Sequence, residues 1–295
     1  MQYTVKGAAA ATGVTASRLR TWERRFGVPK PDRSRTGRRL YGEVDLQVIR
    51  RMVILVGAGV PAAQAAAAAL EDAQPVVAEG APAEGPASPR VAEFLAAAER
   101  YDEVGVTSVL ERAVAESDWE QAAEQVLFPA LRELGLRWET GVTISATEHF
   151  ASALVRRLVE SALAAQAHPP AEAARVLVAC PESERHEIGI LVLALLLRRR
   201  GINVVYLGPD VPSGDLIASA TALKPAAVCL AATTAGGRAS LGRTARLFIR
   251  ERAPGRLLVG GPGIDVQDGT IPGTRLPQRV GDAAEVVARI LGTVP

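Results

Sequence analysis

Four short apolar runs separated by helix-length stretches constrain the second half of this chain more than any other feature. Val176–Ala179, Val204–Leu207, Ala227–Ala231 and Leu257–Val259 are the length of buried strands. Their alternation with helical stretches predicts a parallel sheet with helices on both faces. Open sheets of this kind bind ligands in the crevice beyond the carboxyl ends of their strands. The first predicted strand, Arg175–Cys180, is followed by Glu184-Arg185-His186-Glu187-Ile188-Gly189, which holds one of only three histidines in 295 residues. An acid two residues before an imidazole can accept its second N–H and so choose which ring nitrogen faces a metal. A glycine three residues after it lets a bulky ligand come close to the helix backbone.

Upstream of the sheet, Val91 to about Gln166 is helical in pattern throughout. Apolar stripes recur at three- and four-residue spacing in Val91–Arg100, Asp102–Glu116, Trp119–Leu134 and Ser145–Ala165. Short polar connections between them predict an antiparallel four-helix bundle. Ser145-x-x-Glu148 reads as a capping box opening the last helix. Trp138 then lies near the end of one helix, with Glu148 and His149 in the first turns of the next. A helix N-terminus disfavours protonation of a nearby imidazole, which keeps His149 available as a ligand. The remaining histidine, His168, stands beside two prolines in the seam before the sheet and reads as an exposed bystander.

The chain's net charge of +2 is unevenly spread. Residues 1–52 carry 12 Lys and Arg against 4 Asp and Glu, a net +8 that leaves the rest at −6. A small basic domain on an acidic body is the footprint of a nucleic-acid binder. Within it, Val5–Ala11 reads as a short helix closed by Gly13, and Thr15 caps a second helix over Ala16–Phe26. That second helix carries Arg18, Arg20, Arg24 and Arg25, with Leu19 and Trp22 spaced for packing. The Pro-, Gly- and Arg-rich stretch Pro29–Arg39 predicts a hairpin wing, and a further helix starts at Glu43.

Leu19-Arg20-Thr21-Trp22-Glu23-Arg24-Arg25-Phe26-Gly27 and Arg38-Arg39-Leu40-Tyr41 resemble the MerR family of winged-helix regulators. The resemblance implies double-stranded operator DNA as partner, with the second helix in the major groove and wing arginines on phosphates. It makes Arg18, Arg20 and Arg24 groove or backbone candidates and Arg35, Arg38 and Arg39 wing candidates. Trp22 and Tyr41 are placed either to touch the DNA backbone or to pack within the small domain.

The E-x-H-x-x-G stretch resembles the cobalamin-binding motif of methionine synthase-type corrinoid domains. Joined to Trp138-x9-Glu148-His149 in a helical bundle, it resembles the cobalamin-binding module of CarH/LitR photoreceptors. That resemblance implies adenosylcobalamin held base-off between bundle and sheet, with His186 as lower axial cobalt ligand and Glu184 orienting it. Gly189 would make room for the displaced nucleotide tail. Trp138 would pack against the adenosyl group, Glu148 would hydrogen-bond to it, and His149 would ligate cobalt after the cobalt–carbon bond breaks. Gly260-Gly261 matches the Gly-Gly lining the tail pocket. One position departs from the pattern, because Ala231 stands where a serine is usual, and Thr233 or Thr234 is left to supply that hydrogen bond.

The expected architecture is therefore multidomain α and α/β. A MerR-type winged helix-turn-helix spans 1–71, a linker 72–90, a four-helix bundle capping the cofactor 91–167, and a Rossmann-like cobalamin-binding domain 174–295. The expected function is non-enzymatic: a light-responsive repressor that holds DNA as a dark-state homotetramer. Two other readings stay open. One is a regulator that senses cobalamin or another corrinoid without light, and the other is a corrinoid carrier of methyl groups, which has no use for a winged head. Cys180 and Cys229 fall on predicted buried strands and read as core residues of a protein in a reducing cytoplasm. The longest strongly apolar run, Ile190–Leu197, is too short to span a bilayer, and Met1–Lys6 holds no apolar segment of a secretion signal.

Overall fold

The computed structural model describes residues 3–33, 37–57, 60–73, 88–139, 142–170, 172–264 and 269–293. They form two compact units, one built mainly on Met1–Pro75 and one holding the later helices and the main sheet. The predicted linker over 72–90 falls largely outside the described residues, as does Arg35.

In the first unit, α1 (Val5–Thr12) ends at Gly13 with φ 68°, and α2 (Ala16–Phe26) begins at Thr15, whose hydroxyl accepts from Arg18 N at 3.2 Å. Gly13 supplies the left-handed turn and Thr15 satisfies an orphan N–H, so two helices are joined by a tight turn. Strands β1 (Asp32–Arg33) and β2 (Arg39–Leu40) pair antiparallel as a short wing. Then come α3 (Glu43–Gly57) and α4 (Ala62–Ala73). Leu19, Trp22, Tyr41, Leu46, Ile49 and Met52 are buried together in the core of this unit.

The second unit opens with a bundle. It contains α5 (Pro89–Glu99), α6 (Glu103–Glu116), a long helix of three parts, and α9 (Ser145–Ala164). The long helix consists of α7 (Trp119–Ala122), a π-helical turn (Ala123–Leu127) and α8 (Phe128–Glu139). Pro129 has no N–H to continue an α ladder, and the widened turn ends two residues before it. The capping box expected at Ser145 does not form. Ser145 is itself the first helical residue, Ile144 occupies the cap without a side-chain hydrogen bond, and Glu148 accepts instead from Ser152 Oγ. The motif requires its serine one position outside the helix.

The sheet follows the chain order β3 (Arg175–Pro181), α10 (Ile188–Arg199), β4 (Asn203–Val211), α11 (Ser213–Leu223), β5 (Ala227–Ala231), α12 (Ala235–Arg250), β6 (Arg256–Gly260), β7 (Thr274–Arg275) and α13 (Val280–Ile290). All five strands are parallel in the spatial order β4-β3-β5-β6-β7. The order reverses between β3 and β5, which puts the ligand crevice at the carboxyl ends of those two strands.

Alternate residues of β3 face opposite cores. Val176, Val178 and Cys180 join α10, α13 and the bundle, while Leu177 and Ala179 join α11 and α12. Ile190 to Leu197 is buried on every side, because α10 lies between the sheet and α9 of the bundle. A helix apolar all round needs such a double burial. Both cysteines are buried and free; burial pushes the Cys229 thiol up to about 12 and, reinforced by Glu184 and Glu187, raises that of Cys180 as well. No helix among the described residues is long and apolar enough to cross a membrane.

Candidate functional site

His186 projects from the loop between β3 and α10, with its side chain 63% exposed, beside a Glu184 carboxylate that is fully buried. Nδ1 lies 2.7 Å from Glu184 Oε1, which also accepts from the His186 backbone N–H at 2.9 Å. The other oxygen, Oε2, accepts from Thr233 N at 2.8 Å, Thr234 N at 2.9 Å and the Thr234 hydroxyl at 3.0 Å. Burial alone would raise the acid's pKa, but hydrogen bonds from His186 and Thr234 bring it down to about 2. An ionised carboxylate only accepts hydrogen bonds. Nδ1 therefore carries the proton, and any metal bond from this ring must be made by Nε2.

The buried acid also dictates its surroundings. A Cβ on Gly237, in the first turn of α12, would stand 2.0 Å from Glu184 Oε2. Thr234 caps that helix, accepting from Gly237 N at 3.0 Å while donating to Glu184. Of the two threonines left open by Ala231, Thr234 is thus the one whose hydroxyl is committed, and Thr233 contributes its backbone N–H. Gly261 has φ 97°, and a Cβ there would meet Ala232 O at 2.5 Å; at Gly260 one would press on Leu276. Internal packing thus accounts for both glycines. Gly189 differs: it is exposed, and a Cβ there would meet nothing within 4 Å.

These features fit a corrinoid. A single imidazole is too few donors for a bare ion, which takes three or four protein ligands, but it suits a metal that arrives in its own macrocycle. Among the described residues no cluster of three or more His, Cys, Asp or Glu could hold an ion. The open space at Gly189, in the first turn of α10, lies three residues beyond that imidazole.

The bundle supplies a second group. Trp138 is half-buried near the end of α8, and Glu148 and His149 stand in the first two turns of α9. His149 is 77% exposed, with Nε2 3.7 Å from Glu148 Oε2, and Ser152 Oγ donates to Glu148 Oε1 at 2.5 Å. Two turns further along α9, Arg156 Nη1 reaches Glu187 Oε1 at 3.5 Å, and Glu187 is the residue after His186. Tyr206 on β4 donates to the other Glu187 oxygen at 2.6 Å. Burial and this acceptor both raise the tyrosine's pKa. Sequence reasoning missed Arg156, Glu187 and Tyr206, although Glu187 lay inside the motif it used. His168, exposed, has Arg198 at 3.2 Å and takes no part.

In the winged unit, Arg18, Arg20, Arg24 and Arg25 are exposed on α2, and Arg18 stacks over Trp22 at 5.0 Å. Arg38 is exposed on the wing. Arg39 is bound to Glu23 at 2.6 Å, so it ties the wing to α2. Tyr41 takes the second of its two expected roles, packing in place of DNA contact: it is completely buried, its backbone pairs with Tyr3, and its hydroxyl has no hydrogen-bond partner among the described residues. A side chain so enclosed packs the domain and cannot reach a phosphate. Trp22, only 4% exposed, does the same.

A winged helix-turn-helix, a helical cap and a parallel sheet with a buried acid holding a histidine define a regulator with a corrinoid-binding body. Comparison with known families agrees in each part. Residues 3–71 match the MerR HTH family regulatory protein model, and 91–163 and 174–275 match two B12 binding domain models. The chain is 35% identical to the HTH-type transcriptional repressor CarH of Myxococcus xanthus over 229 residues, 76% of each chain. It is 32% identical to the HTH-type transcriptional repressor CarA of the same organism over 265 residues, 89% of this chain and 88% of that one. The monomethylamine corrinoid protein of Methanosarcina barkeri shares the fold at TM-score 0.56 and 16% identity, over 67% of this chain and 96% of that one. The chain belongs to the MerR-type transcriptional regulators with B12-binding domains, the family of CarH and CarA.

Proposed function

We propose that this protein is a light-responsive repressor that binds operator DNA as an adenosylcobalamin-dependent homo-oligomer, a tetramer in the dark. The observation that carries the reading is His186, held by a buried ionised carboxylate and joined in one chain to an arginine-rich winged head. Two relatives named as transcriptional repressors support repression as the output. The methyl-carrier reading has no role for such a head, and function is argued from sites and not from a shared fold. A cytoplasmic location goes with access to DNA.

Bound adenosylcobalamin supplies a cobalt–carbon bond that light can break. The protein's own residues divide the remaining work. His186 would hold the metal through Nε2, and Glu184 keeps that nitrogen's lone pair available by holding the proton on Nδ1. Gly189 leaves open space that the cofactor's nucleotide tail would take. Trp138 and Glu148 would meet the cofactor from the bundle, with Ser152 holding the carboxylate. His149 adjoins Glu148 as a second imidazole for the metal. Bundle and sheet form the element whose arrangement the cofactor biases, since a ligand shifts only an equilibrium whose two states it binds differently. Arg20, Arg24 and Arg38 supply salt-dependent phosphate or groove contacts, and several linked heads bind repeated sites with an avidity that one lacks.

Illuminating the adenosylcobalamin-loaded protein tests this directly. The expected result is a joint change in absorbance, oligomeric size and DNA affinity; no change in any of the three refutes it. In darkness, equal DNA binding with adenosyl-, methyl- and hydroxocobalamin would instead favour a sensor of cobalamin that ignores light.

A further inference from the structure

Glu187 is an acid the site has not yet used. It follows His186 directly and opens α10, where its carbonyl accepts from Leu191 N at 2.8 Å. Its side chain is 9% exposed and points away from Glu184's partners, to Tyr206 on β4 and to Arg156 on the bundle. The histidine's loop is therefore held from two sides. Glu184 ties it to the turn between β5 and α12, and Glu187 ties it to β4 and α9.

A carboxylate this enclosed needs compensation, and a neutral phenol alone compensates a charge poorly. Arg156 supplies the cation, yet it belongs to a different layer of the molecule and is 48% exposed. Any movement that carries α9 away from the sheet strips Glu187 of that cation. The same helix bears His149 seven residues earlier, about 10 Å along its axis, and Glu148 beside it.

We infer that Arg156 and Glu187 are a positioning pair: their ion pair, completed by Tyr206, holds α9 over the His186 loop and sets the gap in which the corrinoid sits. Neither residue touches the metal. The pair acts by pre-organising the two faces, so that less ordering is left to be done when the cofactor binds. This inference rests on the cobalamin reading above.

The test uses the full chain as Arg156→Ala, Arg156→Lys, Glu187→Gln, Tyr206→Phe and the Arg156→Ala/Glu187→Gln double variant. Two quantities are measured: dark affinity for adenosylcobalamin by absorbance titration, and the melting temperature of the cofactor-free protein. Arg156→Ala and Glu187→Gln should each weaken cofactor binding on the order of tenfold, about 1.4 kcal/mol. The double variant should be no worse than either single one, Arg156→Lys should recover most of the loss, and Tyr206→Phe should fall between. Cofactor-free melting should stay within about 2 °C in the Arg156→Ala/Glu187→Gln double variant, which leaves no uncompensated buried carboxylate. Unchanged affinities, or single losses that simply add, overturn the pairing. A double-variant melting temperature that drops in step with its affinity overturns the positioning role in favour of a structural one. If the wild-type chain binds no adenosylcobalamin, the cobalamin reading itself fails and takes this inference with it.

Discussion

Replacing Gly237 by alanine should destabilise the sheet, although the general rule predicts the opposite. In the body of a helix, Gly→Ala is worth about 1 kcal/mol of stabilisation. Here the added Cβ would stand 2.0 Å from Glu184 Oε2, against an ordinary carbon–oxygen contact of about 3.3 Å. The carboxylate must retreat by roughly 1 Å. It has nowhere to go without loosening the bonds of 2.8, 2.9 and 3.0 Å from Thr233 N, Thr234 N and the Thr234 hydroxyl, all on that oxygen. Hydrogen bonds to a charged group are worth about 1.5–3 kcal/mol each. With partial relaxation, and after subtracting the helix gain, a net loss of about 3 kcal/mol remains. Native-state hydrogen exchange at the amides of β3 and β5 reads this locally and needs no two-state assumption for a chain of several domains. Protection there should fall about a hundredfold. Gly135→Ala in α8, where a Cβ would meet nothing within 4 Å, is the control and should be neutral or stabilising. Unchanged or increased protection in Gly237→Ala would refute the claim that the buried acid is rigidly held.

Further outcomes follow from the same geometry. Glu184's pKa lies below its ordinary 4.5, at about 2, so its contribution is complete above pH 4.5 and is lost as pH falls towards 2; that gap is worth about 3 kcal/mol. Acid titration of stability should be flatter through this window in Glu184→Gln, and an identical slope would contradict the assignment. Gly189→Leu should leave cofactor-free melting unchanged, because the space before it is open, yet weaken cobalamin binding at least tenfold, about 1.4 kcal/mol; normal binding would remove Gly189 from the tail pocket. Arg20→Ala and Arg24→Ala should each lower the salt dependence of DNA binding by about one unit of slope. Tyr41→Phe, which removes only a buried hydroxyl lacking a partner, should leave DNA affinity unchanged in an anisotropy titration.

Much of this molecule was legible in its sequence, for reasons that can be named. The sheet announced itself because buried strands need continuous apolar runs. Strand β7 gave no such sign: Thr274–Arg275 is a strand only because β6 lies beside it. Glu184 and His186 were readable from a spacing of two residues. The backbone N–H groups of Thr233 and Thr234 were not, since a main-chain donor some fifty residues away has no side-chain signature. Gly237 was invisible for the same reason. Arg156 is one of two adjacent arginines on an amphipathic helix, and no sequence signal marks it as the one that meets Glu187 in the fold. The sequence left Tyr41 open because its motif neighbour Arg38 is exposed, whereas its own ring completes the winged unit's core.

The central claim is that His186, oriented by Glu184, anchors a cobalt through Nε2. The most direct measurement is the absorbance spectrum of the full chain and of His186→Ala, each loaded with adenosylcobalamin in darkness. A histidine-ligated, base-off spectrum is expected for the wild type and should be absent from the variant. Identical spectra would show that His186 does not hold the metal.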